Sequence, residues 1–199
     1  MSQGFYMTRR IFRTLTAVPL ILALASAARA DALTDALAAA QDAYSKGDLA
    51  LTSQSLNAAR QALDLQQNAL LAARMPAAPA GWTMTPSDAF AAGIASMGNG
   101  VGVAMDYENA DKSRAFQISY IADNGMLIQM ASMFSDPATM AMMGNVVKVG
   151  DQTLLETDGT LSTVAGNRVM VQIAGAPVAV MLPVVQSIDY ASLGTFDAK

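Results

Sequence analysis

The sequence predicts an α+β protein: an N-terminal antiparallel helical hairpin, then an antiparallel sheet of about six strands, a hairpin followed by a meander, with helices packed on one face. Three observations predict it. Leu49, Leu56, Leu63 and Leu70 recur every seven residues in an Ala- and Gln-rich, proline-free stretch, the spacing of a helical seam. Asp158-Gly159 and Gly166-Asn167 each separate two β-rich runs by two residues, the tight-turn chemistry of β-hairpins. Between these regions, residues 75–81 (Met75-Pro76-Ala77-Ala78-Pro79-Ala80-Gly81) have the composition of a short semi-rigid linker. The expected organisation is an export segment at 1–30, a hairpin at 31–74, the linker, and an α+β unit at 82–199.

The export segment comes first. Basic residues Arg9, Arg10 and Arg13 precede an apolar run from Leu15 to Ala28, and Ala28-Arg29-Ala30 supplies small residues for cleavage after Ala30. Thr8-Arg9-Arg10-Ile11-Phe12 resembles the twin-arginine signal, with a large apolar residue soon after the arginine pair. The apolar run is shorter than the ~20 residues of a membrane span and contains Pro19, which favours cleavage over anchoring. The expected location is a periplasm of the Gram-negative type.

In the hairpin, Leu33, Leu37, Ala40 and Tyr44 fall on one stripe of a first helix. Lys46-Gly47-Asp48 interrupts it, with Gly47 suited to a left-handed cap and Asp48 to the N-cap of a second helix over about 49–74. The heptad leucines alternate with Thr52, Ala59, Gln66 and Ala73, small or polar groups that admit a close neighbour. Tyr44-Ser45-Lys46-Gly47-Asp48 followed by Ala59 resembles the turn of a tetratricopeptide repeat. The resemblance covers roughly one repeat, and no second copy follows.

In the later unit, Val101–Tyr107 and Ala115–Ala122 flank the polar loop 108–112 as a first strand pair. A helix is expected over 125–134 and a short one over 137–143, the second with Asp136 as N-cap and Pro137 at its first position. Four strands follow, turned at Gly150-Asp151-Gln152, Asp158-Gly159 and Gly166-Asn167. The apolar tail from Pro177 to Ile188 reads as a final helix interrupted by Pro183.

Composition narrows function by exclusion. The chain has neither His nor Cys. Without imidazole or thiol there is no Ser-His-Asp triad, no His- or Cys-ligated zinc and no disulfide. Cleavage after Ala30 leaves 8 basic against 16 acidic side chains, a net charge of −8 that repels nucleic acid and anionic membranes.

The candidate sites are few. Met126, Met130, Met133, Met140, Met142 and Met143 crowd into one segment. Thioethers suit Cu(I), and Met126, Met130 and Met133 share a helical face, although methionine is also an adaptable core filler. The acidic loop at 106–111 fails the calcium-loop pattern, having Ala110, Asp111 and Gln117 where ligand, Gly and Glu belong. Gly98-Asn99-Gly100-Val101-Gly102 does not complete a dinucleotide fingerprint.

The expected role is an exported, non-enzymatic, partner-binding accessory, sensor or assembly factor. Its partner would be another protein or a second copy, engaged through the hairpin by Leu49, Leu56, Leu63 and Leu70, with no cofactor. The alternative is Cu(I) or a small apolar ligand held at Met126, Met130 and Met133. A carboxylate-based hydrolase comes third, since just two glutamates, Glu108 and Glu156, are present.

Overall fold

The computed structural model describes residues 20–96, 101–125, 133–134 and 136–198, with side chains described over the same ranges except 20–31 and 95–96. Two antiparallel helices lead, α1 over Leu20–Ser45 and α2 over Leu49–Ala72. The break between them follows local chemistry. Gly47 adopts φ +75, and the Asp48 carboxylate accepts the Leu51 N–H at 2.9 Å to cap α2. Small side chains close the hairpin: Ala40 and Ala43 of α1 are buried, as are Ser55 and Ala59 of α2. Such a seam lets the backbones approach but removes little apolar area, so the hairpin draws its stability from elsewhere.

The rest of the support comes from the sheet. Leu71 and Met75 belong to the same apolar cluster as the strands, and the Asn68 side-chain carbonyl accepts the Gly102 N–H at 2.9 Å. The segment expected as a linker is itself packed. Pro76 is buried, and its carbonyl accepts the Tyr107 hydroxyl at 2.7 Å.

Among the described residues the sheet has seven strands: β1 (Trp82–Pro86), β2 (Val101–Asn109), β3 (Ala115–Ala122), β4 (Asn145–Val149), β5 (Gln152–Thr157), β6 (Thr160–Ala165) and β7 (Val169–Ala174). All neighbours are antiparallel, in the order β1-β2-β3-β7-β6-β5-β4. The hairpin and the meander meet where β3 pairs with β7. The extra strand is β1, paired with β2 as an edge. Only its Trp82 is half-buried and the rest is exposed, so no apolar alternation marks it in the sequence. The turns have the expected backbone, with φ +50 and +76 at Asp158 and Gly159, and +56 at both Gly166 and Asn167.

Between strands lie α3 (Asp88–Ser96), after β1, and α4 (Pro137–Met143), before β4. Asp136 caps α4, accepting the Ala138 N–H at 3.0 Å and the Thr139 N–H at 3.3 Å. The helix expected over 125–134 falls largely outside the described residues. The apolar tail forms α5 (Val178–Val185), with Pro183 inside, and a short α6 (Tyr190–Leu193).

The main core lies on the sheet face that carries Tyr107, Phe116, Ile118, Tyr120, Val171 and Ile173. Met181 and Val185 of α5, then Leu193 and Phe196, complete it. The Tyr107 and Phe116 rings stack at 4.9 Å, and Trp82 tilts against Phe116 at 5.2 Å.

Helices were expected on one face, and the opposite face carries helices too. Ile94 and Phe90 of α3 crowd Gly102, where an added Cβ would lie 3.0 Å from Ile94, and buried Met140 of α4 meets Leu155 across a small gap. Strand register puts Gly102 and Leu155 on the same side of the sheet. Polar Ser119, Gln172 and Ser162 lie on this face too, in the row beside buried Met170.

Candidate partner-binding face

The leucine repeat does not close the hairpin. Leu49, Leu56, Leu63 and Leu70 are all exposed, from 36% at Leu63 to 68% at Leu49. Of the three buried α2 positions, Leu71 joins the sheet core, and Ser55 and Ala59 lie on the side that closes against α1. At roughly 100° per residue the leucine row sits about 70° around the helix from that seam. Of the expected heptad seam, the small Ala59 is buried and the leucines are not. Alanine and serine line the closed side of the hairpin, and the leucines lie on its flank.

The first helix behaves in the same way. Of its expected stripe only Ala40 is buried; Leu33 is half-buried, and Leu37 and Tyr44 are exposed, Tyr44 by 69%. In an antiparallel pair turned at Gly47, helical handedness puts Leu37 and Tyr44 on the side of the hairpin that carries the leucine row. Tyr44 then lies near Leu49 and Leu37 near Leu56. The result is one apolar face of six side chains on two helices. Leu51 and Leu65, also exposed, fall on the other flank. The contribution of Leu37 and Tyr44 depends on the antiparallel register, which the stripe pattern alone did not reveal.

Two of the hairpin's cations are paired within their own turns. Arg60 Nε contacts Asp64 at 2.9 Å, and Lys46 Nζ contacts Asp42 at 2.6 Å, both across one helical turn. Such exposed pairs add little stability. Arg74, one turn beyond Leu70, stands exposed at the end of the row.

The methionine candidates divide. Met126 and Met130 lie outside the described residues. Met133 is partly exposed and lines a small apolar gap with Phe134, Met140, Met143 and Leu155, with no room for a water molecule. Met140 is fully buried there.

A concavity of about 530 Å³ lies between the β4–β5 turn, the β6–β7 turn and α6, bordered by Gly150, Asp151, Gly166, Gln186 and Tyr190. Its polar groups are partly committed. The Tyr190 hydroxyl donates to the Val185 carbonyl at 3.1 Å, and the neighbouring Gln152 amide donates to Thr163 Oγ1 at 2.6 Å. In the acidic loop, Asp111 accepts the Ser113 N–H and hydroxyl at 3.0 and 2.7 Å, which orders the turn. Among the described residues no group of three or more carboxylates is arranged to hold a metal ion.

One charged cluster is built rather than incidental. Arg168, just before β7, forks onto both oxygens of Asp123 at 2.9 and 2.6 Å and onto Asp197 at 2.7 and 3.0 Å, with its guanidinium 4.8 Å from the Phe196 ring centroid. Gln67 of α2 also donates to Asp197, at 3.3 Å, which ties the hairpin to the C-terminus. The Arg168 guanidinium holds the Asp197 carboxyl below the usual carboxylate range, chiefly by hydrogen bonding.

Because the folded value lies below the unfolded one, this stabilisation is fully present above about pH 4 and is lost as pH falls through the lowered folded value. Arg168→Met is expected to cost about 1–2 kcal/mol at pH 7, after allowance for solvent screening. Urea unfolding from pH 2.5 to 7 checks this: the gap between wild type and variant should narrow below pH 4, and a gap independent of pH refutes the linkage.

Among the described residues no helix is long and apolar enough to cross a membrane. No family model matches the chain, and no curated protein or solved structure shows significant similarity to it.

Proposed function

We propose that the chain is an exported, non-enzymatic protein of the periplasm that binds a protein partner through the helical hairpin, as an accessory or assembly factor. One observation carries the reading: six large apolar side chains, Leu37, Tyr44, Leu49, Leu56, Leu63 and Leu70, stand exposed along one side of the hairpin. Single exposed leucines are ordinary, but a contiguous apolar row along two helices is the anatomy of a contact surface. The absence of His and Cys from the sequence supports a binding role over hydrolysis, since the common hydrolytic centres need one or the other.

The test uses the full chain, expressed with its own leader and purified after export, its N-terminus read by mass spectrometry. Photo-crosslinkers at Leu56 and at Leu51, on opposite flanks, are compared in live cells. Crosslinked protein from Leu56 but not from Leu51 is the expected result. Equal yields from both positions, or none from either, would sink it.

A further inference from the structure

We infer that the partner on this face is a second copy of the same chain, paired leucine row to leucine row about a two-fold axis. The inference rests on the reading of the hairpin as a binding surface, and three observations narrow that reading to self-pairing.

The first is period. Leucines at 49, 56, 63 and 70 keep a strict seven-residue spacing, which a straight helix needs only when its neighbour carries a matching repeat. Since Ala40 and Ala43 already occupy the α1 seam, that neighbour is not α1. A two-fold axis between Leu56 and Leu63 sets each of these against the other in the second copy, and Leu49 against Leu70.

The second is area. The 24 residues of α2 span about 36 Å, and the exposed half of α1 widens the face near the turn. At an interaxial spacing of about 10 Å this gives roughly 600 Å² per copy, or roughly 1,200 Å² per pair, the lower bound of specific stable interfaces. A single helical peptide laid on one row would cover less than that.

The third is charge. After removal of residues 1–30 the chain carries 8 basic and 16 acidic side chains, so two copies repel each other over most of their surfaces. The leucine row is where they can approach. Arg60 beside it is already paired to Asp64 within its own helix, and the row's other neighbouring cation, Arg74, stands exposed beyond its Leu70 end.

The experiment is sedimentation equilibrium on the exported full chain from ~1 to 100 µM. It compares wild type, Leu56→Glu/Leu63→Glu, and Leu51→Glu on the opposite flank as control, with each variant's fold checked by circular dichroism. A wild-type dimer, a monomer for the double variant at least tenfold above the wild-type Kd, and an unchanged dimer for Leu51→Glu are expected. A wild-type monomer at 100 µM, or a dimer indifferent to the double substitution, overturns self-pairing. If such a monomer still crosslinks to a different protein through Leu56, the binding surface stands and only the identity of its occupant falls. If it crosslinks to nothing, both fall. Should the double variant unfold, Leu56→Gln with Leu63→Gln removes the same apolar contact without burying charge, and the same masses decide.

Discussion

Leu71→Ala is expected to lower the free energy of unfolding by about 3–5 kcal/mol, whereas Leu56→Ala changes it by less than about 1 kcal/mol. Both residues are leucines of α2. Leu71 is fully buried in the cluster that also holds Tyr107, Ile118 and Val171, while Leu56 is half exposed on the hairpin flank. Removing the Leu71 side chain loses its transfer free energy and leaves a cavity between helix and sheet, where Asn68 and Met75 hold the chain on either side. Leu71 is also the apolar tie between the hairpin and the sheet. Hydrogen exchange in Leu71→Ala should therefore accelerate first in α1 and α2, with β3 and β7 protected for longer. Equal destabilisation by the two substitutions in urea unfolding would show that α2 does not dock as described.

Gly166→Ala is expected to cost about 2–4 kcal/mol, against about 1 kcal/mol for Gly159→Ala. Both glycines lie in hairpin connections with positive φ, Gly166 (+56) in the three-residue β6–β7 connection and Gly159 (+76) in the two-residue β5–β6 turn. They differ in what surrounds them. A Cβ at Gly159 meets nothing within 4 Å, whereas one at Gly166 would overlap the Cα of Gly194, where the end of α6 rests on the β6–β7 turn. The obstruction is mutual, since a Cβ at Gly194 would lie 2.8 Å from the Gly166 Cα. Backbone cannot rotate aside as a flexible side chain does, so the α6 end must lift and disturb Leu193 and Phe196 in the core. Thermal unfolding of the two variants side by side checks this, and matched losses would mean that the contact with Gly194 is not maintained in solution.

These cases show why some of the fold was legible in the sequence and some was not. Asp136-Pro137, Asp158-Gly159 and Gly166-Asn167 act through their own backbone and near neighbours, so their turns and caps stand where the residues suggest. Strand β1 escaped because an exposed edge strand of Thr and Met has no buried face to impose alternation. Helix α4 was legible over 137–143, but α3, and the placing of both helices on the second sheet face, escaped for a related reason. Ile94 and Met140 cover separate patches, and no single periodicity spans both. The candidate site was half legible. A seven-residue repeat announced that Leu49, Leu56, Leu63 and Leu70 share a row, but a repeat does not say which neighbour the row faces.

By itself the sequence determined the fold class, two helices followed by an antiparallel sheet, and the absence of imidazole and thiol chemistry. Both follow from residue identity and short-range spacing, which need no knowledge of what lies across the chain. Only the tertiary structure decided that alanines and serines close the hairpin, that Leu71 and Met75 bind it to the sheet, and that the leucine row is left facing outward. Those outcomes depend on which surfaces meet. The small residues of α2 line the side that closes against α1, and the leucine row lies on the flank.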